Sequence, residues 1–188
     1  MILANQICTV KIDIDHTYTI GSADNKYYGA VMNPSDLGRN DFTKTFAISV
    51  DLHHSGYAIA LIGSGLSCES DCALLEDRSL LMLLDDVLIR IDVLSGTLTA
   101  VKRIERFGGK FGIYRIPQGY IIYGEIEIMM LDENLEIQWS FAGRDIFATP
   151  SGRKAFLITD ASIELYDWEE NYYQIDFDGN LIREISKA

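Results

Sequence analysis

The strongest pattern in this chain is a strict alternation of apolar and polar residues over short stretches. In "GEIEIMMLDENLEIQW", residues 124–139, the apolar positions alternate with Glu125 and Glu127. The apolar side chains that share a face are Ile126, Ile128 and Met130 before the polar "DEN", and Ile137, Trp139 and Phe141 after it. A period of two on both arms predicts an antiparallel hairpin with one buried face, which includes Trp139 as a core residue, and one solvated face, which carries the two glutamates.

The same hairpin pattern occurs twice more. It occurs upstream in "VLIRIDVLSGTLTAVKRI", residues 87–104, with "SG" at the turn, and downstream in "NYYQIDFDGNLIREI", residues 171–185, with "DG" at the turn. A further pair of apolar stretches precedes each hairpin. Ile91, Met130 and Ile175 occupy matching places, at spacings of 39 and 45 residues. A four-stranded unit that repeats at this interval is typical of propeller blades.

The first third of the chain is less regular. "CTVKIDID" predicts a strand, "TFAISVDLHHSGYAIALIGSG" predicts a hairpin that turns at "HHSG", and residues 21–42 read as a long connection rich in turn residues. No stretch has a convincing helical period. We therefore predict an all-β fold of repeated four-stranded antiparallel sheets, a small or incomplete β-propeller, with a β-sandwich of stacked meanders as the alternative. The predicted single domain, 1–188, comprises an irregular first unit, 1–66, and blades at 71–104, 111–142 and 146–186.

Three phrases of the repeats, "LIRIDVLSGTL", "EIQWSF" and "YYQIDFDGNLI", resemble the blades of quinoprotein-like and WD40-like β-propellers. In those families a strand that ends in Asp and a Gly turn lead into a strand that carries Trp. The resemblance covers residues 71–185 and implies blade architecture, but no particular function. The chain is shorter than most propellers of this kind, and the cofactor sites of the family need residues from further blades. The resemblance therefore implies no cofactor.

Charge restricts the class of partner. The chain has 16 Lys and Arg against 28 Asp and Glu, a net charge of −12, which repels phosphate backbones and anionic lipid. This balance predicts no nucleic-acid or membrane partner and favours a basic protein partner. The first sixteen residues lack the basic and apolar regions of a signal peptide, and the three cysteines are an odd number. Both features predict a cytoplasmic protein with reduced thiols.

Signatures of chemistry are few. A nucleophile elbow, a dinucleotide-binding fingerprint and a phosphate-binding loop are all missing from the sequence. Glu125 and Glu127 have the spacing of about 5 Å that retaining glycosidases use, but a solvated strand face explains them more simply. His53 and His54 are adjacent, so on a strand they point to opposite faces and do not easily share a metal ion. In a turn they could share one, but a turn histidine is far more often simply solvated. We predict no catalytic residues and no metal site.

Three loop motifs have simpler structural explanations. Cys68 and Cys72 in "CESDC" lack the second pair of ligands that a zinc site needs, so we interpret them as incidental thiols in a loop. "DFDGN", residues 176–180, places Asp176, Asp178 and Asn180 at alternate positions as in a calcium loop. Such a loop needs a glycine after the third ligand, where Leu181 stands, and a hairpin turn explains the motif more simply. The Gly-rich "ERFGGKFG", residues 105–112, lies between two strands, which favours an inter-blade connection over a phosphate loop.

Our first functional hypothesis is a non-catalytic protein-binding module, an acidic inhibitor of a basic protein in the manner of bacterial immunity proteins. Aromatic side chains next to acidic ones make good binding hot spots. The densest such cluster is "YDWEENYY", residues 166–173. The predicted binding residues are Trp168, Glu169, Glu170 and Tyr172.

The alternative hypothesis is a small propeller-type hydrolase or lyase that acts on a carbohydrate. Acidic residues follow the second strand of each repeated unit, so they are candidates to converge on a common site. These residues are Asp85, Asp86, Glu125 and Asp167.

Overall fold

The protein is all-β in every part of the chain that the computed structural model describes, residues 1–104 and 108–187. These two ranges contain seventeen strands and no helix. The first three residues of "ERFGGKFG", predicted to be an inter-blade connection, lie outside the described residues. The chain divides into two compact units, Met1–Arg106 and Phe107–Ala188. The single domain over 1–188 stays a prediction.

The first sheet has five strands and is the least regular. Its strands are β1 (Ile2–Ala4), β2 (Thr9–Ile14), β3 (Ala30–Met32), β4 (Thr43–Asp51) and β5 (Gly56–Ser64), in the spatial order β1-β2-β4-β5-β3. The predicted hairpin at "HHSG" is the β4–β5 pair, and His53 in its turn has a φ of 68°. Residues 21–42 are more than a connection, because they contain β3, which pairs with β5 in parallel. Only three residues of β3 pair, which is too short a run for a detectable alternation.

The second sheet completes the first unit. Its strands are β6 (Ala73–Glu76), β7 (Ser79–Leu84), β8 (Val87–Asp92) and β9 (Thr97–Arg103), joined as an antiparallel meander in chain order. The first and second sheets share one apolar cluster. From the first sheet it includes Phe46, Ile48 and Leu61, and from the second Leu80, Met82 and Ile89.

The second unit contains two more antiparallel meanders. The third sheet consists of β10 (Lys110–Ile116), β11 (Gly119–Gly124), β12 (Glu127–Leu131) and β13 (Ile137–Ala142). The fourth sheet consists of β14 (Phe156–Ile158), β15 (Ile163–Tyr166), β16 (Tyr172–Ile175) and β17 (Leu181–Ile185). The repeated four-stranded sheets confirm the predicted all-β, propeller-like fold.

A β-bulge marks the same place in each four-stranded sheet and fixes how the repeats align. It falls immediately before Ile91 in the second sheet, before Leu131 in the third and before Ile175 in the fourth. The residue that matches Ile91 and Ile175 is therefore Leu131, and the predicted match at Met130 is wrong by one residue. A one-residue offset moves a side chain to the opposite face, so this correction decides which residues correspond between the sheets.

The predicted hairpin is the β12–β13 pair, and β13 alternates between half-buried and exposed residues as predicted, but the prediction of one buried and one solvated face is wrong for β12. Ile128 and its neighbour Met129 are both fully buried, although they point to opposite faces of β12. The run "IMML" is continuously apolar, which is typical of a strand covered on both faces. Glu125 precedes β12, in the turn after β11, and Glu127 is the first residue of β12. The two glutamates therefore do not form a pair on an exposed strand face.

Trp139 was predicted to be a core residue, and it packs at the margin of the core rather than in its centre. Trp139 and Ile137 on β13 are half-buried, because β13 is the edge strand of its sheet. The indole packs at the margin of the apolar cluster that the third and fourth sheets share, and its Nε1 donates a hydrogen bond to the Phe177 carbonyl oxygen at 3.1 Å.

Candidate functional site

The outer face of the fourth sheet differs from the corresponding face of the third. Cross-strand pairing from the aligned bulges places three residues of each sheet in one row. In the third sheet the row is Ile121, Met130 and Trp139, which packs in the cluster with the fourth sheet. In the fourth sheet the row is Glu164, Gln174 and Arg183. Positions that bury apolar surface in one sheet are polar in the next, as expected for a face that meets solvent.

This outer face is not uniformly polar, because it contains a cleft of about 430 Å³. Volumes of this size are in the usual range for ligand-binding clefts. The residues that line the cleft come from all three strands β15, β16 and β17 and from the segments next to them. They are Glu164, Tyr166, Glu170, Tyr172, Arg183 and Ile185, with Lys187 at the end of the described chain. The face that replaces an apolar packing surface is therefore amphipathic and concave.

Two tyrosines form the aromatic wall of the cleft. Tyr166 and Tyr172 are cross-strand partners whose ring centroids are 5.2 Å apart with a 50° angle between the ring planes. The guanidinium of Arg153 lies 4.5 Å from the centroid of the Tyr166 ring, in cation–π contact. Partial burial raises the pKa of Tyr172, and the nearby Glu164 carboxylate acts in the same direction. The Tyr172 hydroxyl therefore keeps its proton at neutral pH and can donate a hydrogen bond to a ligand.

The acidic residues of the cleft already have partners. Lys187 Nζ is 2.5 Å from Glu170 Oε2, and this contact is the main reason that the pKa of Glu170 is lowered. Glu164 interacts with the Tyr172 hydroxyl. Arg183 differs from both, since its exposed guanidinium makes no ion pair with any residue in 1–104 or 108–187. The formal charges of the four ionisable acidic and basic residues in the lining cancel, and Arg153 at the border adds one positive charge, although the protein as a whole is strongly acidic.

The structure places the four predicted binding residues in two groups. Glu170 and Tyr172 line the cleft. Trp168 and Glu169 lie in the turn between β15 and β16, where Trp168 is 49% exposed and its backbone N–H donates to the Ile146 carbonyl oxygen at 2.8 Å. These two residues are not part of the cleft lining.

Sequence reasoning missed two important residues of this site, Arg183 and Ile185. Both lie on β17, "LIREI", every residue of which is exposed. The signal that could have found Arg183 is the repeat itself. When the sheets are aligned at the bulge, Arg183 is the position equivalent to Trp139 of the preceding sheet. The one-residue error at Met130 conceals this correspondence.

The carboxylates of the carbohydrate-enzyme hypothesis have structural roles in the second unit. Asp167 is fully buried, and its carboxylate accepts hydrogen bonds from Asn171 N and Nδ2, both at 2.9 Å, and from the Tyr173 hydroxyl at 2.7 Å. Glu125 Oε2 accepts a bond from Gly109 N at 3.2 Å. In the first unit, Asp85 adopts a φ of 59° at the β7–β8 turn. Among the described residues, no group of three or more His, Cys, Asp or Glu side chains is arranged to hold a metal ion.

No protein-family model matches this chain, and no curated protein matches it in sequence. Solved structures resemble the chain in fold. The AfRom2 CNH domain aligns at a TM-score of 0.46 and 10% identity over 77% of this chain and 48% of that one. BamB from Moraxella catarrhalis aligns at a TM-score of 0.47 and 10% identity, over 80% of this chain and 49% of that one. Hsv2 from Kluyvelomyces marxianus aligns at a TM-score of 0.44 and 4% identity, over 74% of this chain and 46% of that one. The chain spans about half the length of each of these structures.

The two cysteines of "CESDC" lie against each other in the first unit. Both are free, Cys72 is buried and Cys68 is half-buried. The Cys68 thiol hydrogen-bonds to Cys72, which raises the pKa of Cys68 and lowers that of Cys72.

No helix in the described ranges is both long and apolar enough to cross a bilayer.

Proposed function

We propose that this chain is a non-catalytic protein-binding module that docks its partner on the outer face of the fourth sheet. The observation that carries the proposal is the change of character between corresponding faces of the third and fourth sheets. Where the third sheet packs Ile121 and Trp139 against its neighbour, the fourth presents Glu164 and Arg183 around a cleft with two tyrosines. Tyrosine and arginine are the residue types that dominate interface hot spots.

The partner that the proposal favours is a basic protein, so that the chain acts as an acidic inhibitor of the immunity type. The net charge of −12 attracts a positively charged partner at long range and speeds the encounter. Charges outside the cleft supply this attraction, and Glu169 is exposed in the adjoining turn. Long-range steering weakens as salt is added, because the Debye length falls to about 8 Å at physiological ionic strength.

Affinity capture with the full chain tests the proposal. The immobilised chain is exposed at low salt to lysate of its source cells, and bound proteins are quantified for the native chain and two variants. The double variant Tyr166→Ala with Tyr172→Ala removes the aromatic wall, and Tyr27→Ala is the matched control because Tyr27 is exposed in the other unit. We expect a specific partner that the native chain and the control retain and the double variant loses, with unchanged strand content by circular dichroism. Equal retention by all three proteins, or no specific partner, would contradict the proposal.

A further inference from the structure

We infer that the cleft on the fourth sheet binds the carboxylate of an acidic side chain, Asp or Glu, on an extended segment of a protein partner, and that Arg183 is the residue that binds it. This inference rests on the proposed function and adds the chemistry that the docking surface recognises. It concerns the local contact in the cleft, whereas the net charge of the chain acts on the partner as a whole.

The charged residues of the cleft and its border leave an excess of positive charge. Four ionised residues line it: Glu164, Glu170, Arg183 and Lys187. Their formal charges cancel, and the Glu170–Lys187 pair is closed. Arg153, in contact with the Tyr166 ring, adds one positive charge at the border. The cleft and its border therefore have a net formal charge of +1. The guanidinium of Arg183, which makes no ion pair among the described residues, is the group available to bind an anion.

The sign and size of this charge select a monoanion. A guanidinium presents parallel N–H donors that match the two oxygens of a carboxylate. A phosphate monoester carries about −1.5 to −2 charges at neutral pH, and the carboxylates of Glu164 and Glu170 would repel it more strongly than a single negative charge. The site thus fits a carboxylate better than a phosphoryl group.

The surroundings of Arg183 favour a peptide over a free small acid. Ile185 lies two residues along β17 from Arg183, on the same face, and its cross-strand partner is Tyr172 of the aromatic wall. Ile185 is nearly half exposed, although it is large and apolar. A segment with an apolar residue close to an acidic one would cover Ile185 while its carboxylate reached Arg183. Because β17 is an edge strand whose residues are all exposed, such a segment has an open approach.

The experiment is an NMR titration of the full chain with two blocked tripeptides, acetyl-Ile-Glu-Ile-amide and acetyl-Ile-Gln-Ile-amide, which differ only in the charge of the central residue. We expect the Glu peptide to produce saturable shifts in the backbone amides of Tyr172, Arg183 and Ile185, and the Gln peptide to bind at least about tenfold more weakly. Arg183→Gln should weaken the binding of the Glu peptide by a similar factor. Arg39→Gln, the same charge change at an exposed site in the other unit, should leave its binding unchanged.

Several results would overturn the inference: no saturable shift, equal binding of the two peptides, unchanged binding to Arg183→Gln, or equally strong displacement by inorganic phosphate. Each leaves the proposed function standing if the tyrosine double variant still loses its captured partner. Conversely, a Glu-selective site in a chain whose tyrosine variants lose no partner would contradict the proposed function and the assignment of the carboxylate to a protein segment.

Discussion

The indole ring of Trp139 lies directly against Gly179, so that a β-carbon at position 179 would come within 2.7 Å of the ring atom Cδ2. Gly179 is in the turn between β16 and β17 and has a φ of 82°. An edge-strand tryptophan of the third sheet thus covers the hairpin turn of the fourth. Two constraints meet at Gly179: a backbone conformation that favours glycine, and an aromatic ring in the place of a side chain.

We expect Gly179→Ala to destabilise the protein by about 1–3 kcal/mol, since the left-handed conformation and the displaced ring both contribute. Gly152→Ala separates the two effects. Gly152 has a φ of 74°, but no atom lies within 4 Å of the place that a β-carbon would take, so it measures the backbone cost alone. Urea unfolding should show the larger loss at position 179. In a Trp139→Ala background the two glycine substitutions should cost the same, and a persistent difference would show that the ring is not responsible.

The aspartate that closes a hairpin turn of the second sheet should make the protein sensitive to acid. Arg78 donates to the Asp92 carboxylate, and with bonds from Ser95 it holds the pKa of Asp92 well below its usual range. Because the folded-state pKa is the lower one, this stabilisation is complete above about pH 4 and is lost as the pH falls toward the folded-state value. Urea midpoints measured from neutral pH downward should therefore fall less for Asp92→Asn and for Arg78→Gln than for the native chain. Parallel curves for all three would show that this pair does not contribute to acid unfolding.

The hairpins and their turns were predictable because their signals are local. Gly96 and Gly179 have positive φ at the turns marked "SG" and "DG", and an aspartate precedes each turn where its carboxylate caps backbone N–H groups. The number of four-stranded units was predictable for the same reason. The alternation of apolar and polar residues identifies each strand from neighbouring residues alone, so the strands could be counted.

The register and the site were less predictable because they depend on partners distant in the chain. The alignment of the sheets follows from the bulge in the β12–β13 pairing, where Gln138 of β13 is the extra residue, and the sequence does not show this pairing, so Met130 was matched where Leu131 belongs. Burial of Met129 on the second face of β12 depends on what covers that face, which alternation alone does not reveal. Arg183 acquires its significance only by comparison with Trp139, after the two sheets are aligned.

Tyr173 should make the protein sensitive to alkali. Its hydroxyl donates to the buried carboxylate of Asp167, and burial, followed by that carboxylate, raises the pKa of Tyr173 to about 12. A raised tyrosine pKa stabilises the fold fully below about pH 10, and this contribution disappears as the pH rises from there through the folded-state value. Tyr28, Tyr57 and Tyr123 have pKa values raised to about 12 as well.

For Tyr173→Phe we expect a loss of about 1–2 kcal/mol at neutral pH, because Asp167 keeps its burial but loses one donor. The same variant should lose less stability than the native chain between about pH 9 and pH 11, as measured by urea unfolding at each pH. Tyr27→Phe, at an exposed tyrosine, is the control. An alkaline profile of Tyr173→Phe that matches that of the native chain would exclude Tyr173 from this transition.

Trp168 should contribute to binding far more than to stability. Half of the side chain is exposed, and the hydrogen bond to Ile146 uses the backbone N–H, which alanine retains. We expect Trp168→Ala to cost less than about 1 kcal/mol, a fall in Tm of no more than about 4 °C, while its affinity for the captured partner decreases. Trp139→Ala, at the better-packed tryptophan, should lower Tm more. A large fall for Trp168→Ala would instead show that this ring is part of the core.

The two glutamates beside Trp168 should differ in their effect on association. Glu169 is exposed and carries charge that can attract a basic partner, so Glu169→Gln should lower the association rate at low salt and have little effect at high salt. Glu170 already pairs with Lys187, so Glu170→Gln exposes an unpaired cation as well as removing an anion. Lys187→Gln with Glu170→Gln removes the pair without a change in net charge and should leave the association rate near that of the native chain. Surface plasmon resonance across a salt series distinguishes the three variants. A double variant as slow as Glu169→Gln would mean that the Glu170–Lys187 pair contributes to docking directly, as part of the cleft rather than through its charge.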